Sequence, residues 1–266
     1  MSALNSKIIR KFHKLLSILP FPQSALNSIE QLSALKQGKG WGGGTISEEV
    51  NCCISLLSKS PSTIIDIGAN KGLYTEELLK RYPESDYFLF EPSTVNLHIL
   101  HQKFDRYKNI RIFQEAVSIS TGNAKLFSNE EGSGLASLTK RKLDHFGIDM
   151  DLEQNISTIR LDEFLNSNLP AQLIDYVKID IEGHELDALN GMGERIKDIK
   201  IIQFEFGGCN IDTRTFFQDF WYFFKDNNFR IYRITPTGCN PIPSYRELDE
   251  FFSTTNYIAV NNSLVP

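Results

Sequence analysis

Charged side chains stand in this sequence where a buried strand should carry none. The run Asp175-Tyr176-Val177-Lys178-Ile179-Asp180-Ile181-Glu182-Gly183-His184-Glu185 sets Lys178 and Asp180 two residues apart, on one face of a strand. Glu205 adds a charge within Ile201-Ile202-Gln203-Phe204-Glu205-Phe206. Central parallel strands are covered on both faces and read as continuous apolar residues. Buried charges are costly unless paired, so Lys178, Asp180 and Glu205 are expected to neutralise one another beside a crevice. The plainer alternative is an ion pair that only fixes sheet order. As catalytic candidates, Asp180 is the first choice for a general base because it ends its strand. His184 is the second, since an imidazole titrates near neutrality, although a residue in the first turn of a helix needs no such role. Lys178 would orient or neutralise a carboxylate. Asp180, Glu182 and Glu185 could offer oxygen ligands to Mg²⁺, but acidic clusters are common without metal, and no metal site is assigned.

These groups need elements to aim them, and the first such element lies upstream. Thr63-Ile64-Ile65-Asp66-Ile67 is an apolar run ending near an acid, and Gly68-Ala69-Asn70-Lys71-Gly72 is a tight bend. A helix with Leu78, Leu79 and Tyr82 on its apolar face follows, then Phe88-Leu89-Phe90-Glu91, which places Glu91 25 residues after Asp66. That is the opening β-α-β unit of a doubly wound sheet, with its crevice at the carboxyl ends of the strands. A carboxylate at the tip of the second strand suits a ribose diol, because it accepts from both hydroxyls. An adenosine-bearing ligand is therefore expected. The dinucleotide fingerprint G-x-G-x-x-G needs a middle glycine to admit a pyrophosphate, and Asn70 stands in its place. Asp66 would also repel a diphosphate. The pattern favours a cationic ligand without phosphate, S-adenosylmethionine. A plain Rossmann bend, with Asp66 capping a helix and Glu91 solvated, is the bland alternative. A nicotinamide oxidoreductase and a non-catalytic nucleotide-binding module are the competing functions.

Composition narrows the class. The 266 residues are 41% hydrophobic, enough to form one α/β core with an N-terminal extension. A net charge of −5 and a pI of about 5.6 provide no basic field to recruit nucleic acid. Cys52, Cys53, Cys209 and Cys239 show no C-x-x-C spacing, so neither zinc nor a disulfide framework is expected, and a reducing cytoplasm is the natural compartment. No apolar run approaches the ~20 residues that span a bilayer, and the N-terminus does not read as a secretory signal.

Organisation follows from periodicity. Residues 7–19 alternate Ile8, Ile9, Phe12, Leu15, Leu16 and Leu19 with basic residues, and Pro20 and Pro22 end that helix. It packs on the domain or on a second subunit of a homodimer, or else rests on an anionic membrane. Gly38-Lys39-Gly40-Trp41-Gly42-Gly43-Gly44 is a linker, or a lid in which Trp41 closes over substrate. Thr45-Ile46-Ser47-Glu48 has capping-box spacing for the next helix. The division is thus 1–44, a helical extension and hinge, and 45–266, the main domain. Ala116–Ile119 and Ala124–Phe127 flank Ser120-Thr121-Gly122-Asn123 and read as an inserted hairpin. Residues 128–150 read as an irregular flap. Phe216–Phe224 reads as a largely buried aromatic helix, while 229–234 and 257–260 close the sheet as an antiparallel pair.

The order and spacing of Ile65-Asp66-Ile67-Gly68-Ala69-Asn70-x-Gly72, Glu91-Pro92, Ala116-Val117, Leu161-Asp162-Glu163-Phe164 and Val177-Lys178-Ile179-Asp180-Ile181-Glu182-Gly183-x-Glu185 resemble the FkbM family of S-adenosylmethionine-dependent methyltransferases, over about residues 45–207. The resemblance implies an α/β, class I methyltransferase Rossmann-like fold. Its sheet would be mostly parallel and seven-stranded, with an antiparallel edge pair. It further implies Asp66, Gly68, Asn70, Gly72 and Glu91 at the cofactor. Ala69, Tyr74, Pro92, Ser93, Glu115, Ala116 and Asp180, on the same bends and strand ends, complete the expected cofactor contacts. Many members act on hydroxyls of sugars or polyketides, so O-methylation of a small-molecule or glycan acceptor is the expected chemistry. The segments before 45 and after 207 match no pattern, so acceptor identity does not carry over.

Overall fold

The computed structural model describes residues 14, 17, 20–42 and 46–265. Most of the basic amphipathic segment 7–19, Gly43, Gly44 and the capping residue Thr45 therefore lie outside the described residues. In chain order, α1 (Gln23–Lys36) and α2 (Ile46–Ser55) precede β1 (Thr63–Ile67), α3 (Leu73–Arg81), β2 (Asp86–Phe90), α4 (Thr94–Phe104) and β3 (Ile110–Phe113). Next come β4 (Glu115–Val117), β5 (Gly122–Ser128), β6 (Leu152–Ile159), α5 (Leu161–Asn168), β7 (Ile174–Ile179) and α6 (Glu185–Asn190). The chain ends with β8 (Ile199–Phe206), α7 (Cys209–Thr213), α8 (Phe217–Asp226), β9 (Phe229–Thr235), β10 (Gly238–Ile242) and β11 (Thr255–Asn261).

The main sheet runs β10-β9-β11-β8-β7-β1-β2-β3. The pairs among β8, β7, β1, β2 and β3 are parallel, whereas β11 is antiparallel to both β8 and β9. Order reverses on either side of β1 and β7, which is where a doubly wound sheet opens its ligand crevice. The sheet has eight strands rather than the expected seven, because β10 adds an antiparallel edge beside β9.

The inserted hairpin is corrected too. β4 and β5 do not pair with each other: both pair with β6, β4 in parallel and β5 antiparallel, as a separate three-stranded sheet. β6 carries no clear strand signal of its own, and its partners lie too far along the chain for local periodicity to reveal them.

Apolar residues fill both faces of the main sheet. One layer centres on Phe88, Phe90, Val177, Phe204 and α8, whose Phe217, Phe220 and Phe224 are buried as the aromatic run implied. The other centres on Ile64, Tyr176 and Ile201 under α2 and α3. The Gly-rich segment is anchored along part of its length. Gly42 N–H donates to the Thr254 carbonyl at 2.8 Å and Gly40 N–H to Thr255 Oγ1 at 2.8 Å. Cys52 and Cys239, expected as free thiols, form a disulfide between α2 and β10 with Cα atoms 5.8 Å apart. Their separation of 187 residues gave no spacing signal. Cys53 and Cys209 are free and buried. Among the described residues no helix is long and apolar enough to cross a membrane.

Candidate active site

Strand register assembles the site. In the β1–β7 ladder Asp66 lies opposite Lys178, and in the β7–β8 ladder Lys178 lies opposite Gln203. Side chains opposite one another in adjacent strands share a face, so Asp66, Lys178 and Gln203 form a polar row on the face covered by α2 and α3. Two residues further on, Asp180 and Glu205 continue that face at the strand ends.

Lys178 is the centre of this row. Its Nζ lies 3.2 Å from Asp180 Oδ2 and 3.6 Å from Asp66 Oδ1, and over the Tyr74 ring at 5.0 Å from its centroid. Burial pulls the ammonium toward its neutral form, but Asp180, Asp66 and Glu49 outweigh that and hold its pKa above the ordinary lysine value. Asp66 is fully buried, and its other oxygen accepts from Thr75 Oγ1 at 2.7 Å. It anchors Lys178 from beneath and lines neither of the two cavities described below.

Glu205 does not complete the expected three-way cluster, since no ion pair joins it to Lys178 among the described residues. It groups instead with Glu182 and Cys209, whose ligand atoms lie within 4.8 Å of one another. Burial first, then Asp180 and other nearby carboxylates, push its pKa well above the usual range.

The bend after β1 shapes the first cavity. Gly68 has φ +81°, and a Cβ there would lie 2.0 Å from the Asp180 carbonyl oxygen, so the ends of β1 and β7 approach as closely as glycine alone permits. Gly72 serves packing instead: its missing Cβ makes room for Phe104 and Leu100 of α4. Glu91 is held from both sides, accepting from Asn70 N–H at 2.8 Å and from Ser93 N–H at 2.9 Å. Burial raises its pKa despite those bonds.

Glu91 opens into a cavity whose lining includes Gly68, Asn70, Pro92, Glu115, Ala116 and Asp180. The segment 133–138, read from sequence as part of a flap, forms its other wall through Ser133, Gly134, Ala136, Ser137 and Leu138. Ser137 ties that wall down: its hydroxyl donates to the Glu182 carbonyl at 2.8 Å, and its backbone exchanges two bonds with Phe127. A second cavity lies beside α2 and α3, lined by Glu49, Ala69, Tyr74, Lys178, Glu205 and Asn256 among others. Asn70, Gly134 and Asp180 line both cavities and form the boundary between them. Among the expected cofactor residues Asp66, Gly72 and Ser93 line neither, while Ala69 and Tyr74 face the second cavity rather than the first.

His184 lines the first cavity, but both ring nitrogens are engaged, Nδ1 with Asp187 Oδ2 at 2.8 Å and Nε2 with Thr139 Oγ1 at 3.0 Å. The three acids considered for Mg²⁺ do not fit a metal. Glu185 is buried and accepts from the Ile181 and Gly183 amides, capping its own turn. Glu182 pairs with Arg141. Only Asp180 of the three borders the second cavity.

Sequence reasoning missed Glu49, Tyr176 and Gln203. Gln203 Oε1 lies 2.5 Å from Tyr74 OH, 2.6 Å from Tyr176 OH and 3.0 Å from Cys53 Sγ, each able to donate. The amide nitrogen is thereby turned toward Glu49 and donates to its Oε2 at 2.7 Å. The one available signal was Gln203 itself, a polar residue in a strand that should be apolar.

Residues 66–231 match the methyltransferase FkbM domain, more than half of the chain. The chain belongs to the FkbM methyltransferase family. It is 30% identical over 168 residues to methyltransferase sdnD of Sordaria araneosa, covering 53% of this chain and 64% of that protein. It is 27% identical over 162 residues to the 2-O-methyltransferase NoeI of Sinorhizobium fredii, covering 58% of this chain and 66% of that one. The match thus spans less than two-thirds of either relative's length. A solved FkbM methyltransferase from Methylobacillus flagellatus superimposes with a TM-score of 0.45 at 15% identity, over 77% of this chain and 45% of that one.

Proposed function

We propose that this FkbM-family protein transfers the methyl group of S-adenosylmethionine to a hydroxyl of a sugar or other polyol-like small molecule. The observation that carries the reading is the pair of cavities meeting at Asn70, Gly134 and Asp180. The first suits an adenosine: Glu91 offers its carboxylate to a ribose diol, and Ala116, Val117, Leu126 and Leu138 supply apolar wall. The methionine half would then run along the Gly68–Gly72 bend toward the boundary. The fit is also electrostatic. Glu91, Glu115, Asp180 and Glu182 line the first cavity and among the described residues no lysine or arginine does, which suits a cation and opposes a pyrophosphate.

When bound, the sulfonium supplies an activated methyl carbon. The protein's task is to align an acceptor oxygen with that carbon and to receive a proton. Lys178 fixes the Asp180 carboxylate at the boundary, and Asp66 fixes Lys178. Carboxylates in the second cavity accept hydrogen bonds from acceptor hydroxyls. The acidic lining and net charge provide nothing for a nucleic-acid backbone. That NoeI is a 2-O-methyltransferase supports oxygen as the receiving atom.

Calorimetry with S-adenosylmethionine and with NAD tests the cofactor, and binding of NAD alone would overturn it. Incubation with S-adenosylmethionine and a panel of monosaccharides, inositols and glycosides, read by mass spectrometry, tests the acceptor. Methylation on nitrogen or carbon would overturn the acceptor assignment and leave methyl transfer standing.

A further inference from the structure

Hydroxyl methylation liberates a proton, and the two groups expected to take it are already engaged. His184 has both nitrogens hydrogen-bonded, and Asp180 is ion-paired to Lys178. Glu49 is different. It projects from α2 into the second cavity, is 8% exposed, and has one oxygen held by Gln203. Among the described residues its other oxygen has no hydrogen-bond partner. Gln203 cannot turn its carbonyl to Glu49 without abandoning Tyr74, Tyr176 and Cys53. The network therefore fixes the carboxyl group and leaves one oxygen for the acceptor.

We propose that Glu49 is the carboxylate that receives the acceptor's hydroxyl proton, and that the charge of the cofactor's sulfonium brings it into the receiving form. The inference rests on the methyl-transfer reading above. The acceptor oxygen forms its bond to the methyl carbon, the carbon–sulfur bond breaks with its electron pair left on sulfur, and the hydroxyl proton passes to Glu49. Positive charge on sulfur disappears in the same step that neutralises the carboxylate, so the net charge of the cleft is the same before and after.

The surroundings of Glu49 set its response. Burial raises its pKa to about 7, opposed by Lys178 of β7 and the Gln203 amide of β8, and reinforced by Asp180 and by Glu48 on its own helix. Cys53 and the Tyr74 and Tyr176 hydroxyls adjoin it and are held in their neutral forms by burial, and Glu205 and Lys71 line the same cavity. In the absence of cofactor burial thus keeps a share of Glu49 protonated near neutral pH. A cation arriving at the boundary favours the ionised form, so binding expels the proton.

Isothermal titration in buffers of different ionisation enthalpy, at about pH 7, counts that proton without any acceptor. S-adenosylmethionine should release up to about half a proton more than S-adenosylhomocysteine, which shares the ribose and amino-acid contacts but has a neutral sulfur. The difference should grow as pH falls toward 6 and vanish by about pH 8.5. Glu49→Gln, which keeps the bond from Gln203, should abolish the difference while S-adenosylhomocysteine affinity stays within about twofold of wild type. Equal proton release by the two ligands in the wild type would overturn the proposal without any variant. So would a difference that survives Glu49→Gln, or one that Glu205→Gln abolishes instead. Absence of binding by either ligand would overturn the cofactor reading itself.

Discussion

Replacing Lys178 with methionine keeps the length and bulk of the side chain and deletes only its charge. Asp66 then remains fully buried with no cation beside it, and its Oδ1 has no hydrogen bond to compensate. Breaking a buried pair from one side costs about 3–5 kcal/mol, because the surviving charge is left in a low-dielectric site. For a domain of this size each kcal/mol lowers Tm by roughly 2–4 °C, so Lys178→Met should melt about 10 °C lower. Circular dichroism melts and urea titrations would read the loss. The double variant Lys178→Met/Asp66→Asn is the decisive control. It removes both charges, and the introduced amide can still accept from Thr75, so it should recover to within about 2 kcal/mol of wild type, a non-additivity diagnostic of direct contact. A Lys178→Met protein that melts within about 2 °C of wild type would refute the assignment of Asp66 as a buried anchor. So would a double variant less stable than the single.

Glu91→Ala removes the ribose acceptor and should weaken S-adenosylmethionine binding by about 1.5–3 kcal/mol in calorimetry; unchanged affinity would remove Glu91 from the site. Gly68→Ala places a Cβ against the Asp180 carbonyl oxygen at a positive φ, so it should lower Tm and reduce cofactor affinity together, whereas an unaffected protein would contradict the close approach of β1 and β7. Asp249 accepts from Arg233 at 2.9 Å and from Arg246 at 3.1 Å. Burial alone would raise its pKa, but the two guanidiniums outweigh burial and hold it below the ordinary carboxylate value. Its contribution is therefore present above about pH 4 and lost as pH falls through the lowered native value, and Asp249→Asn should flatten the acid limb of a stability–pH profile.

The β1–α3–β2 unit was legible because each part is specified within a short stretch, from the apolar strand through the Gly68–Gly72 bend to Glu91. The pairing of Lys178 with Asp180 was legible for the same reason, as neighbours on one strand face. What failed was pairing across long separations. β4 and β5 look like a hairpin because only four turn-like residues separate their apolar runs, yet each gains more by pairing with β6, whose amphipathic alternation is weak. Asp66 was expected at the cofactor because its motif resembles the FkbM pattern, whereas the register that sets it opposite Lys178 and against Thr75 of α3 could not be read from the sequence. Glu49 reads as an ordinary helix-surface glutamate, and only the fold brings it to Gln203, 154 residues away.

The placement of Lys178 also bears on its chemical reactivity. Amine-reactive reagents attack the neutral amine, and this ammonium is both 6% exposed and held in its charged form by surrounding carboxylates. In the native protein it should resist acylation that marks exposed amines such as Lys80 and Lys197. Label appearing on Lys178 would then report the breaking of its contacts with Asp66 and Asp180, so its modification rate measures how often that charged row comes apart.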